Sequence, residues 1–188
     1  MKRQSKSWRD RWAESTILAS AAATCIALVG LVGCSGSQEI SPDDAATVLT
    51  QASIAAAKSK IIPSSVCAKP ELRAETTIVV DPKSPKAWVK APAGASYRVL
   101  KSASIGRLPK AALEAFGPAR VRTDCRHTLT FHEAQFVEIR TSLGTQTQAF
   151  VDLNDYCPEC GAGYRVTFTR SDGVWKMDPP GVVETWVS

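Results

Sequence analysis

The feature that most constrains this chain lies near its N-terminus, because it separates residues that build a fold from residues that do not. Lys2, Arg3, Lys6, Arg9 and Arg11 precede an uncharged run, Thr16 to Val32, which leads into Leu31-Val32-Gly33-Cys34. Basic side chains hold such an N-terminus in the cytoplasm while the apolar segment enters the bilayer, which is the logic of an export signal. At about 1.5 Å per residue, a helix over this run spans roughly 26 Å, short of the roughly 30 Å hydrocarbon core. Its many alanines weaken it further as a permanent span. The expectation is a segment that directs the chain and is then removed.

Cys34 is preceded by Leu31, Val32 and Gly33, an aliphatic, aliphatic, small pattern that resembles the lipid-attachment site of bacterial lipoproteins. The resemblance implies that a diacylglyceryl group joins the Cys34 thiol and that the chain is cut just before it. Cys25 is the rival position, but it lies inside the apolar run, and the preceding Thr24 fits less well than Gly33. Two or more acyl chains hold a protein stably, each buried methylene contributing about 0.8 kcal/mol. Ser35 follows Cys34, in place of the Asp that in enterobacteria often retains lipoproteins in the inner membrane. In a host with two membranes this implies the periplasmic face of the outer membrane. The expected organisation is a signal over 1–33, a lipidated cysteine and short tether over 34–41, and a single mature domain over 42–188.

Charge follows from this division. Residues 1–33 hold five basic and two acidic side chains, so the +5 of the whole chain falls to +2 beyond them. The high pI therefore belongs partly to the signal, and nucleic acid is not an expected partner of the exported domain.

In the mature region, Ser41-Pro42-Asp43-Asp44 predicts a helix start, with a capping Ser, Pro in the first turn and acids at the positive dipole end. The helix is expected to run to about Lys60, with Val48, Leu49, Ala52, Ala55 and Ala56 on its apolar stripe and Pro63 beyond its end. Strands are expected over 76–80 and 97–103, then a short helix over 109–116. From Ala119, Arg120, Arg122, Asp124, Arg126, Thr128 and Thr130 alternate with Val121, Thr123, Cys125, His127, Leu129 and Phe131. Period two predicts a strand with one polar and one inward face. Further strands are expected over 136–142, 146–153, 164–170 and 173–178, with Asp172-Gly173 as a hairpin turn and a final edge strand over 182–187. The fold class is α+β: an N-terminal helix packed on a curved antiparallel sheet of about five to seven strands.

Besides Cys34, the mature region holds Cys67, Cys125, Cys157 and Cys160. An oxidising envelope favours two disulfides among the three possible connectivities, and the preferred pairs are Cys67 with Cys125 and Cys157 with Cys160. Cys157-Pro158-Glu159-Cys160 has thiol-redox spacing, but Gly161-Ala162-Gly163 and a strand follow it, where a low thiol pKa would call for a helix N-terminus. Cys125, His127, Cys157 and Cys160 are also zinc-type ligands, but a Cys-x-His on one strand is unlike a tight zinc knuckle. No metal and no cofactor are expected.

Nucleophile elbow, phosphate loop, His-Glu-x-x-His and calcium-loop patterns are absent from the sequence. The strand register points His127 inward and His132 outward, with His127 buried and hydrogen-bonded or lining a pocket. Asp152 and Asp155 are candidates for an acid pair. Arg120, Arg122 and Arg126 are expected on one strand face that could meet an anionic partner. The Cys-x-x-Cys-Gly turn, the Asp-Gly-x-Trp-Lys hairpin and the late Trp186 resemble small envelope proteins of the nuclear-transport-factor-like fold, which implies a helix inside a curved sheet. The resulting expectation is a lipid-anchored envelope protein that binds an envelope or cell-wall partner without catalysis. The alternatives are a small ligand-binding or enzymatic cone around His127, and a thiol-redox protein.

Overall fold

Ser41 starts the first helix, α1 (Pro42–Lys58), as its sequence dictates. The Ser41 hydroxyl accepts from the Asp44 backbone N–H at 3.1 Å, Pro42 opens the first turn, and Asp43 and Asp44 sit at the positive dipole end. The computed structural model describes residues 40–74, 94–121 and 125–188, all within the second of two compact units, Glu39–Ser188. Cys34, the tether to Glu39, the expected strand over 76–80 and Arg122 lie outside the described residues. The described chain opens on Ile40, which bridges Ser102 in parallel, so an extended residue precedes the helix.

The class is α+β, with seven strands and two helices among the described residues. The strands are β1 (Cys67–Ala68), β2 (Ser96–Leu100), β3 (Thr128–Phe131), β4 (Gln135–Thr141), β5 (Gly144–Cys157), β6 (Cys160–Ser171) and β7 (Val174–Val187). The second helix, α2 (Lys110–Glu114), is followed by one 3-10 turn, Pro118–Arg120. The sheet is mixed and not purely antiparallel, because β1 runs parallel to β3, pairing Cys67 with Thr128.

β5 organises the sheet. Along one edge its first half pairs with β4, from Thr141 opposite Gly144 to Gln135 opposite Phe150, and its second half pairs with β3, from Phe131 opposite Leu153 to Thr128 opposite Tyr156. β6 takes its other edge, and β7 follows β6. The expected hairpin turn is present: Asp172 (φ 54°) and Gly173 (φ 77°) both occupy the left-handed region that a two-residue hairpin loop requires. The segments expected over 173–178 and 182–187 are one strand, β7, interrupted at Pro179-Pro180-Gly181. Prolines without a donor are tolerated there because, among the described strands, β7 pairs only with β6.

The strand expected from Ala119 does not form as one element. Its first residues make the 3-10 turn, since Pro118 fixes a helical φ, and regular pairing begins only at Thr128. The core lies between α1 and the sheet. Val48, Leu49, Leu129, Phe131, Phe136, Leu153, Val166 and Phe168 are essentially inaccessible, and Trp175 packs on Phe136 with ring centroids 5.4 Å apart. Burying each such side chain contributes roughly 1.5–3 kcal/mol. A smaller cluster, Val137, Ile139 and Phe150, occupies the opposite face. Among the described residues, no helix is long and apolar enough to cross a membrane.

Candidate functional site

The C-terminal end of α1 and the interruption in β7 together make a groove of about 570 Å³, lined by Gln51, Ile54, Lys58, Ile61, Met177 and Val182 among others. Its shape follows from the chain. The β6–β7 register shifts between Val166 and Phe168, leaving the stretch around Pro179-Pro180-Gly181 out of the ladder beside the helix. Gly181 has φ 93°, a left-handed backbone that a side chain would strain, and the Met177 sulfur lies in ordinary contact range, 3.6 Å from where a Cβ would stand. Ile54, Ile61 and Met177 are 38, 47 and 44% exposed, while Lys58 and Lys60 stand in solvent at the rim. Exposed apolar side chains gathered at one concavity and bordered by cations make this the candidate contact surface.

The sequence reading missed this groove. Ile54 is off the stripe that faces the core, and Met177 lies more than a hundred residues past the α1–β1 connection that supplies Ile61, so no local period joins them. The only local signal was the Pro-Pro-Gly interruption of an otherwise strand-like segment.

The three arginines do not share a strand face. Arg120 lies in the 3-10 turn, where its Nε donates to the Val66 carbonyl at 3.0 Å and its guanidinium lies 5.1 Å from the Phe116 ring centroid. Burial lowers its pKa from the ordinary arginine value. Arg126 is exposed in the bend before β3, and Arg122 lies outside the described residues.

The histidines also depart from expectation. His132 is the buried one, at 7% exposure. Its Nδ1 lies 3.1 Å from the Ala74 carbonyl and its Nε2 lies 2.7 Å from the Asn154 amide, so those partners make Nδ1 the donor and Nε2 the acceptor. The outward face here is not open: Asn154, Arg165 and Trp186 surround the ring, which is why outward did not mean exposed. His127 shares the inward parity of Leu129 and Phe131, but it sits where that face reaches the sheet end, and its side chain is 29% exposed. It is neither deeply buried nor hydrogen-bonded at Nδ1.

Asp152 and Asp155 do not form an acid pair, because residues three apart on a strand point to opposite faces. Asp152 binds Arg165 in a fork, at 2.5 and 2.7 Å, from directly opposite positions on β5 and β6. Asp155 is buried on the other face, 3.7 Å from His127 Nδ1. Burial raises its carboxyl pKa above the ordinary value, while the facing His127 pulls it down.

The cysteines pair as expected. Cys67 bonds Cys125 and Cys157 bonds Cys160, with Cα separations of 5.9 and 5.1 Å. Cys157 ends β5 and Cys160 starts β6 directly opposite it, so the second bridge closes the hairpin tip and no helix follows. Beside it, ligand atoms of His127, Cys157 and Cys160 all lie within 4.8 Å of one another.

A second polar patch lies on the outer face, where His132, Asp152, Asn154, Arg165 and Trp186 surround a hollow of about 180 Å³. Its polar side chains bind one another through the contacts above. No family model matches this chain, and no curated protein or solved structure is significantly similar to it.

Proposed function

We propose that this chain is a lipid-anchored envelope protein whose folded domain binds a partner and does not catalyse a reaction, with the α1–β7 groove as its contact surface. The observation that carries the reading is the gathering of exposed Ile54, Ile61 and Met177 around one concavity with Lys58 and Lys60 at its edge. The partner chemistry that fits is an apolar polypeptide segment flanked by acidic side chains. The filled core favours binding at the surface over a cone with an internal pocket: Leu129, Phe131 and Leu153, beside His127 and Asp155, are fully buried. The basic N-terminus, the apolar run and Leu31-Val32-Gly33-Cys34 support the anchor. In this reading α1 fills a curved sheet, the arrangement of nuclear-transport-factor-like proteins.

A photoactivatable benzophenone side chain placed at Ile61, with another at the exposed Leu143 as control, tests the reading in cells. Position 61 is expected to give a discrete polypeptide adduct that Ile54→Asp removes. Equal, diffuse adducts from both positions would overturn it. A second reading, a small apolar ligand, is favoured by the groove volume, which falls within the roughly 300–1,000 Å³ of small-molecule sites. Mass spectrometry of an organic extract of the purified protein separates the two.

A further inference from the structure

We propose that the tip of the β5–β6 hairpin is a redox-gated zinc site: with the Cys157–Cys160 disulfide reduced, Cys157, Cys160 and His127 bind one Zn²⁺, and re-forming the disulfide releases it. The three side chains come from different parts of the chain. β3 pairing with β5 sets Leu129 opposite Asp155, which carries His127, two residues earlier, alongside Cys157. The hairpin then returns Cys160 opposite Cys157. Their ligand atoms already lie within 4.8 Å of one another. A tetrahedral zinc with thiolate and imidazole ligands needs them about 3.6–3.8 Å apart, so the two sulfurs part by roughly 1.7 Å on reduction to complete the geometry.

Asp155 supplies the independent observation. Its carboxylate is 5% exposed and aimed at His127, yet neither Asp155 Oδ1 nor His127 Nδ1 has a hydrogen-bond partner, and they face each other at 3.7 Å. Two buried polar atoms left in this way call for an occupant or a small closure. Metal-binding histidines characteristically donate their second ring N–H to a carboxylate, which fixes the ring. A slight closure gives His127 that bond to Asp155 and leaves its other nitrogen for the ion. Asp155 is thus a positioning residue, with the fourth coordination place left to solvent. Cys125 takes no part, because it is bonded to Cys67.

The chemistry balances with a dithiol reductant. The disulfide takes two electrons and two protons from the dithiol, which leaves as its own disulfide. Zn²⁺ then displaces the two thiol protons to solvent. Glu159 and Cys160 are exposed, so the bond is open to an attacking thiolate.

The test is zinc binding by the detergent-solubilised full chain, with and without a phosphine reductant, read as zinc retained per chain in competition with a chromophoric chelator. Reduced protein is expected to hold one equivalent, and oxidised protein none. Cobalt in place of zinc is expected to give thiolate charge-transfer absorption in the reduced protein alone. Cys157→Ser/Cys160→Ser should abolish binding and Cys67→Ser/Cys125→Ser should keep it. His127→Ala and Asp155→Asn should each weaken it about tenfold or more. The proposal is overturned if oxidised and reduced wild type bind zinc alike, if reduced protein retains none, if the Cys67/Cys125 variant is the one that loses it, or if His127→Ala changes nothing. The wild-type comparison depends on no variant folding correctly.

Discussion

Trp175 Nε1 donates a 2.8 Å hydrogen bond to Asp44 Oδ1, tying the last strand to the first turn of α1. Asp44 also accepts from the capping Ser41 hydroxyl at 3.0 Å and pairs with Arg170 at 3.3 Å, so one carboxylate braces the helix cap and docks the helix on the sheet. Asp44→Ala is expected to lower stability by about 2 kcal/mol, through a charge-assisted bond and a dipole contact. Trp175→Phe, which keeps most of the packing, should cost about 1 kcal/mol. Urea midpoints with unchanged slopes measure both; equal stability for Asp44→Ala and wild type would refute the docking role.

The two disulfides should differ in weight because they close loops of different length. Cys67 and Cys125 are 58 residues apart, while Cys157 and Cys160 are three apart. Replacing the first pair by alanine is expected to cost about 4 kcal/mol and the second about 2 kcal/mol, by the loss of loop-closure entropy from the unfolded chain. Denaturation of the two double variants at one temperature reads the order, and a larger loss for the hairpin pair would contradict it.

Gly163 lies beneath the Trp186 indole, and a Cβ there would overlap the ring. Gly163→Ala should therefore lose about 1–3 kcal/mol by overpacking. In a Trp186→Ala background the same change should be neutral or slightly stabilising, since only the chain-entropy gain remains. A double-mutant cycle with no coupling would remove the contact from the account.

Tyr164 has its pKa raised above the ordinary 10.0, first by burial and then by the charges of Asp155 and Glu184. Above pH 10 the folded state holds the phenolic proton longer than the unfolded chain does. Stability contributed by this site therefore falls as pH rises from that ordinary value toward the folded one. Tyr164→Phe should show a shallower decline over that window. Identical alkaline slopes for the two proteins would show that Tyr164 does not carry the effect.

Cys34→Ser is expected to abolish incorporation of labelled palmitate and to shift the protein out of the membrane fraction. Labelling that persists in the variant would move the anchor to another residue, with Cys25 as the first to test.

Local chemistry was legible wherever a short stretch decides its own conformation. The cap at Ser41, the helix, which ends at Lys58 and not at the expected Lys60, the Asp172-Gly173 turn and the Cys157–Cys160 pair follow from backbone preference, periodicity and proximity in an oxidised chain. Cys67–Cys125, 58 residues apart, is the preferred one of three connectivities. Alternation also gave the correct parity for His127, Leu129 and Phe131. What parity cannot give is cover. His132 points to the outer face yet is buried, because Asn154, Arg165 and Trp186, distant in sequence, surround it and the Ala74 carbonyl meets its Nδ1. The same limit scattered the arginines, since Pro118 turns the chain before a strand can begin. Only the tertiary structure brought Ile54 and Ile61 to Met177, and His127 to Cys157 and Cys160. These meetings depend on strand order and register, which are set by summed packing over the whole sheet and not by any neighbouring residues.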